Sequence, residues 1–163
     1  MTAPNSPGEW DAATRELYTQ LLEAWDKRNA RNYALLFASD ATLVGFDGSQ
    51  VNGQLDIGAH VSEVFSHHQT PRYVGIVREV RSLAPDVSLL RANSGLIPPG
   101  KDDIDPALNA VQSLVAGKKG GAWKIALFQN TPAQFHMHPE QVKALTEELR
   151  ARLRANTQTD KSS

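Results

Sequence analysis

The chain has 163 residues, enough for one domain with a full core and too few for two. A formal net charge of -1, with 40% apolar and 21% charged residues, fits a soluble globular protein and gives no electrostatic case for nucleic acid or an anionic membrane. There is no cysteine, which excludes disulfides, thiolate metal sites and cysteine nucleophiles, and no apolar run approaches the ~18 residues of a membrane span.

The opening MTAPNSPGEW lacks the basic and apolar regions of a signal peptide, so a cytoplasmic protein is expected. Residues 1–9 are expected to be disordered, as is the tail 156–163, leaving one domain over 10–155. From Trp10, apolar Leu17, Leu21, Leu22 and Trp25 follow helical spacing, with Tyr18 alongside. NARNYALLF reads as a short second helix with Asn29 as its N-cap. DATLVGF then predicts a strand and DGSQVNG a turn. QLDIGAHVSEVF predicts a third helix with Ile57, Val61, Val64 and Phe65 on one face and His60 beside it.

Beyond this point the pattern becomes β. RYVGIVREVRSL, VSLLRANSGLI, ALNAVQSLVAG and AWKIALFQN are four strands, joined by APD, by the longer PPGKDDIDP and by the glycine turn KKGG. PEQVKALTEELRARLR closes the chain as a helix, with Pro139 at its first position and Val142, Leu145, Leu149 and Leu153 as its apolar stripe. Helices followed by a meander predict an α+β fold, a curved antiparallel sheet with three N-terminal helices and a C-terminal helix. Such a sheet, closed by helices, forms a cone-shaped roll around a central pocket.

Two motifs are decoys. GLIPPGKD approaches the phosphate-binding G-x-x-x-x-G-K-[ST]. Pro98 and Pro99, however, delete amide donors, and Asp102 replaces the hydroxyl. His136 and His138, with His67 and His68, fall in predicted loops without acidic or cysteine partners at ligand spacing. They read as surface histidines, and no metal site is expected.

His60 is either a satisfied core histidine or a proton-transfer group projecting into the pocket. Asp40 and Asp47, flanking the first strand, are the carboxylates able to reach it, though Asp40 also fits a turn. Polar side chains on the sheet form a second set: Asn109, Gln112, Gln129, Asn130 and Arg91. Alternation puts Trp123, Ile125, Leu127 and Gln129 on one side and Ala126, Phe128 and Asn130 on the other, and it leaves open which side faces inward. The amides serve either a ligand or a neighbouring loop such as TPAQF.

YALLFASDATLVGFDGSQVNG, with its F-A-x-D-A motif, and KKGGAWKIALFQNTP resemble the nuclear transport factor 2-like (SnoaL-like, cone-fold) superfamily. More narrowly, RYVGIVREVRSLAPDV, IPPGKDDIDPALNAVQSLVA and WKIALFQNTPAQFH resemble its SgcJ/EcaC branch, often encoded with natural-product, including enediyne polyketide, biosynthesis enzymes. The resemblance covers about residues 10–152 and implies a central pocket and a homodimer packed through the sheet. The isomerase base of the superfamily falls on Gly45 and its first-helix tyrosine near Leu21, so isomerisation by that route is not expected. The pocket position of the third helix falls on His60, and those of the last strand on Ala126, Phe128 and Asn130. Trp25 and Phe46 complete the expected substrate-binding set. No dinucleotide or flavin motif is present, so no cofactor is expected. The reading is a small-molecule pocket protein, an enzyme acting on a hydrophobic or aromatic polyketide-like compound by proton transfer and hydrogen bonding to a carbonyl or hydroxyl. A non-catalytic carrier and a dimeric assembly module are the alternatives.

Overall fold

The computed structural model describes residues 7–161 of the chain, with side chains over 8–159. Four helices, α1 (Pro7–Asp26), α2 (Ala30–Leu35), α3 (Gln54–His67) and α4 (Pro139–Lys161), pack on six strands. The strands are β1 (Phe37–Val44), β2 (Gln50–Asn52), β3 (Arg72–Ala84), β4 (Val87–Ile97), β5 (Ala110–Lys119) and β6 (Ala122–Pro132). They form one sheet in the order β2-β1-β6-β5-β4-β3. No helix among the described residues is long and apolar enough to cross a membrane.

Helix α1 buries Thr14, Leu17, Tyr18, Leu21 and Ala24, a single stripe at three- and four-residue spacing. It ends where Arg28 takes a left-handed φ of 56°. Asn29 then caps α2, its side chain accepting from the Asn32 backbone N–H at 2.9 Å. Helix α3 buries Ile57, Val61 and Phe65 against α2 and β1. Gly120 and Gly121 both adopt positive φ, 61° and 81°, and form the two-residue β5–β6 turn that suits the strand twist.

The four long strands form the expected antiparallel meander, and one parallel pairing, between β1 and β6, makes the sheet mixed. β1 leaves α2 and lies parallel to β6, with Leu43 beside Phe128 and Val44 beside Gln129. A meander pattern in sequence cannot disclose this, because the pairing joins the first strand to the last. Register shifts between Val77 and Glu79 and between Val115 and Ala116 bend the sheet into its curved form. β5 begins at Ala110, later than predicted; Pro106–Leu108 form a 3-10 turn capped by Asp105.

Two cores lie on opposite faces. The inner one joins α1, α2 and α3 to Leu90, Leu114, Ile125 and Phe128. The outer one places Leu145 and Leu149 of α4 on Val74 and Ile97, with Ile104 from the β4–β5 loop. The expected disordered N-terminus lies outside the described residues for 1–6, and 7–9 already belong to α1. Helix α4 also runs on through 156–161, past the predicted start of the tail. Thr157 and Thr159 there bond back to the carbonyls of Leu153 and Ala155.

Candidate functional site

Between the inner face of the sheet and the three N-terminal helices lies a cavity of about 330 Å³. Its walls are Trp25 from α1, Tyr33 from α2, Val61 and Val64 from α3, Leu43, Tyr73, Leu96 and Phe128 from the sheet, and Phe46 from the β1–β2 turn. Trp25 is held edge-on to Phe65 (5.2 Å between centroids) and to Tyr73 (5.7 Å), and its indole N–H donates to the Pro71 carbonyl at 2.9 Å. Larger grooves exist, about 570 Å³ beside α1 and α2 and about 650 Å³ along the β3 edge, but charged side chains line both. The smaller cavity is the one with the apolar walls and few polar groups that define a ligand site.

Those polar groups form a chain. The buried Tyr18 hydroxyl donates to Gln112 Oε1 at 2.5 Å, and Gln112 Nε2 donates to Asn130 Oδ1 at 3.2 Å. Asn130 Nδ2 then donates to the Tyr73 hydroxyl at 3.1 Å. Gln112 is fully buried, and Asn130 only 5% exposed. Burial pushes the Tyr73 phenol up to about 12, and the Tyr18 and Tyr33 phenols above the usual range, so all three remain neutral hydroxyls at physiological pH. The Tyr33 hydroxyl has no hydrogen-bond partner among the described residues.

At the start of β3, Asp26 Oδ1 accepts the Tyr73 backbone N–H at 2.9 Å. Desolvation raises this carboxyl to about 6, against the opposing pull of that N–H and of Arg72. The folded state therefore prefers protonated Asp26. Its stabilising contribution is complete below the unfolded value near 3.8 and is lost as pH rises through about 6. Asp26 keeps an exposed surface, so water screens much of the cost and leaves about 1 kcal/mol. Asp26→Asn, which keeps the acceptor for Tyr73, should raise stability by about 1 kcal/mol at pH 7.5 and leave it unchanged at pH 3.5. Denaturant melts across this range check it; an equal effect at both pH values would contradict ionisation as the cause.

The structure gathers six of the expected residues at the cavity: Trp25, Phe46, Phe128, Asn130, Asp47 and His60. Gln112 stands directly behind Asn130. His60 is exposed at the mouth, which settles against a buried core histidine. Asp47 is exposed there too, but its carboxylate accepts from the Ser49 N–H (2.9 Å) and hydroxyl (2.6 Å), which holds it low and spends it on the turn.

Four others lie elsewhere. Asp40 is exposed on β1, outside the cavity. Arg91 is on the outer sheet face, paired across strands with Glu79 at 2.7 Å. Gln129 is exposed on the same face, beside Thr131. Asn109 precedes β5 and is buried under α4, donating to Thr146 at 2.9 Å. Ala126 is also exposed, because the β5–β6 register shift puts Ile125 and Phe128 on one face. Gly45 lines the cavity without a side chain and Leu21 is sealed in the core, so neither of these two positions offers a base or a hydroxyl. Among the described residues no group of three or more His, Cys, Asp or Glu is placed to hold a metal. In the sequence, Tyr18 is visible only as a neighbour of the α1 stripe, and Tyr33 and Tyr73 carry no site signal beyond the alternation of Tyr73, Gly75 and Val77 along β3.

The architecture is the nuclear transport factor 2-like, or cystatin-like, cone fold. Solved structures similar to the chain include a domain of unknown function with a cystatin-like fold from Nostoc punctiforme, 20% identical over 97% of this chain and 100% of that one, with a TM-score of 0.76. A ketosteroid isomerase-like protein from Erwinia carotovora atroseptica is 15% identical over 76% and 95% (TM-score 0.60). A candidate dehydratase of the NTF2-like family from Streptomyces avermitilis is 14% identical over 79% and 99% (TM-score 0.62). No protein-family model and no curated protein matches the sequence.

Proposed function

We propose that the chain binds a hydrophobic, aromatic small molecule of polyketide type in the cone cavity and acts on it as a cofactor-independent enzyme of natural-product biosynthesis. The observation that carries this reading is a cavity with aromatic and aliphatic walls that nevertheless holds a buried, directed amide, Asn130. Such a group fixes the orientation of a ligand carbonyl or hydroxyl. His60 at the mouth is the group able to move a proton, and Asp47 lines the same cavity. The resemblance of the β4–β5 and β6 segments to the SgcJ/EcaC branch supports the polyketide class. The outer sheet face, with Val111 44% exposed and Leu89, Val115 and Leu127 half-buried, supports a homodimer packed there.

Native mass spectrometry of freshly purified protein tests the reading, since it gives subunit number and retained ligand together. With the retained compound as substrate, His60→Ala should lower turnover at least ~100-fold while the fold survives, because His60 is exposed. Normal turnover by that variant would remove His60 from the chemistry. Gly45 favours a second reading, a carrier: no base is built into the cavity wall at that position. A carrier would release the compound chemically unchanged from both proteins.

A further inference from the structure

The hydrogen-bond chain behind the cavity has a direction, and the direction selects the ligand. Tyr73 accepts from Asn130 Nδ2 and makes no second side-chain hydrogen bond among the described residues, so its own proton is unspent at the cavity wall. The two amides could in principle reverse together. Tyr73 would then donate to Asn130, Asn130 to Gln112, and Gln112 to the Tyr18 oxygen. That reversal strands the Tyr18 proton at the opposite end, where the side chain is 3% exposed. Ser94, which faces Gly75 across the strand pair near that hydroxyl, has no hydrogen-bond partner and does not take it. A buried unsatisfied hydroxyl costs about 1–3 kcal/mol, whereas an unspent proton at the cavity wall meets water or ligand.

Resting on the pocket reading above, we infer that Tyr73 is the ligand-anchoring donor and that Tyr18, which does not line the cavity, is the positioning residue that keeps it one. The ligand group that fits is an acceptor oxygen, a ketone or quinone carbonyl, rather than an N–H or other donor.

A matched pair of bicyclic probes tests this: 1-indanone, which only accepts, and indole, which only donates. Wild-type protein should bind 1-indanone roughly tenfold more tightly than indole by NMR titration, the value of one directed hydrogen bond. Its carbonyl stretch should move to lower frequency on binding. Tyr73→Phe should abolish both the preference and the infrared shift. Tyr18→Phe should abolish the preference while indole still binds, because either amide orientation then leaves one Gln112 atom unpaired. Should Tyr18→Phe fail to fold, Gln112→Met removes the link at similar volume and carries the same expectation. Equal binding of the two probes to wild type, or a full preference in Tyr18→Phe, overturns the inference and leaves the pocket standing. Failure of both probes to bind wild type overturns the inference and the pocket reading together.

Discussion

Gly75→Ala should destabilise the protein by about 3 kcal/mol, lowering Tm by roughly 10 °C, and should empty the cavity of its ligand. Gly75 sits on the inner face of β3, where an added Cβ would fall 2.5 Å from the Tyr18 hydroxyl and 2.9 Å from Leu22 Cδ1. Neither neighbour is a free side chain: Tyr18 belongs to the buried stripe of α1, and Leu22 packs beside it. Relief of the overlap by displacing Tyr18 breaks its bond to Gln112, whose Oε1 is then buried without a donor. Overpacking costs about 1–3 kcal/mol and the orphaned acceptor a similar amount. The damage extends through Asn130 to Tyr73, so binding falls with stability. Chemical denaturation and ligand titration check both; a change below about 0.5 kcal/mol would mean that α1 shifts as a body and that the close approach is not structural.

Which parts of this were legible in the sequence follows from how far each signal reaches. The stripe of α1, the buried face of α3 and the glycine turn at 120–121 are local patterns, and they fold as their spacing demands. The polar residues of the sheet were harder, because their faces depend on a register that a single bulge can invert. Alternation along β6 groups Ile125 with Gln129, yet the shift opposite Val115 and Ala116 sends Ile125 inward and leaves Gln129 on the outside. Arg91 shows the same limit: its partner Glu79 lies on another strand at the edge of a second bulge. Asn109 looked like a strand amide, but the chain makes a 3-10 turn just before it and carries it beneath α4. Asn130 was placed by resemblance, and only packing revealed the tyrosines at each end of its hydrogen-bond chain.

Leu149→Ala should cost about 3 kcal/mol and yet leave ligand affinity nearly unchanged. Leu149 is fully buried on the outer face, against Ile104 and the bare backbone of Gly95, whose missing Cβ would lie 2.9 Å from Leu149 Cδ1. That close approach lets α4 dock, and Val74, Ile97 and Leu145 enclose the same contact. Truncation opens a void that the rigid sheet cannot fill, so both the transfer and the cavity terms apply. The ion pairs of α4, Arg150 with Asp103 and Arg78 with Glu148, lie at the solvent-facing surface, where water screens them, so they are too weak to hold the helix in place. The two cores share the sheet and little else, so the loss should stay on the α4 side. Amide exchange should quicken across residues 139–153 first, while the Tyr18–Gln112–Asn130–Tyr73 chain keeps its geometry and its ligand. If affinity fell in step with stability, α4 would be part of what shapes the cavity, and the outer face could no longer be treated as separate from the site.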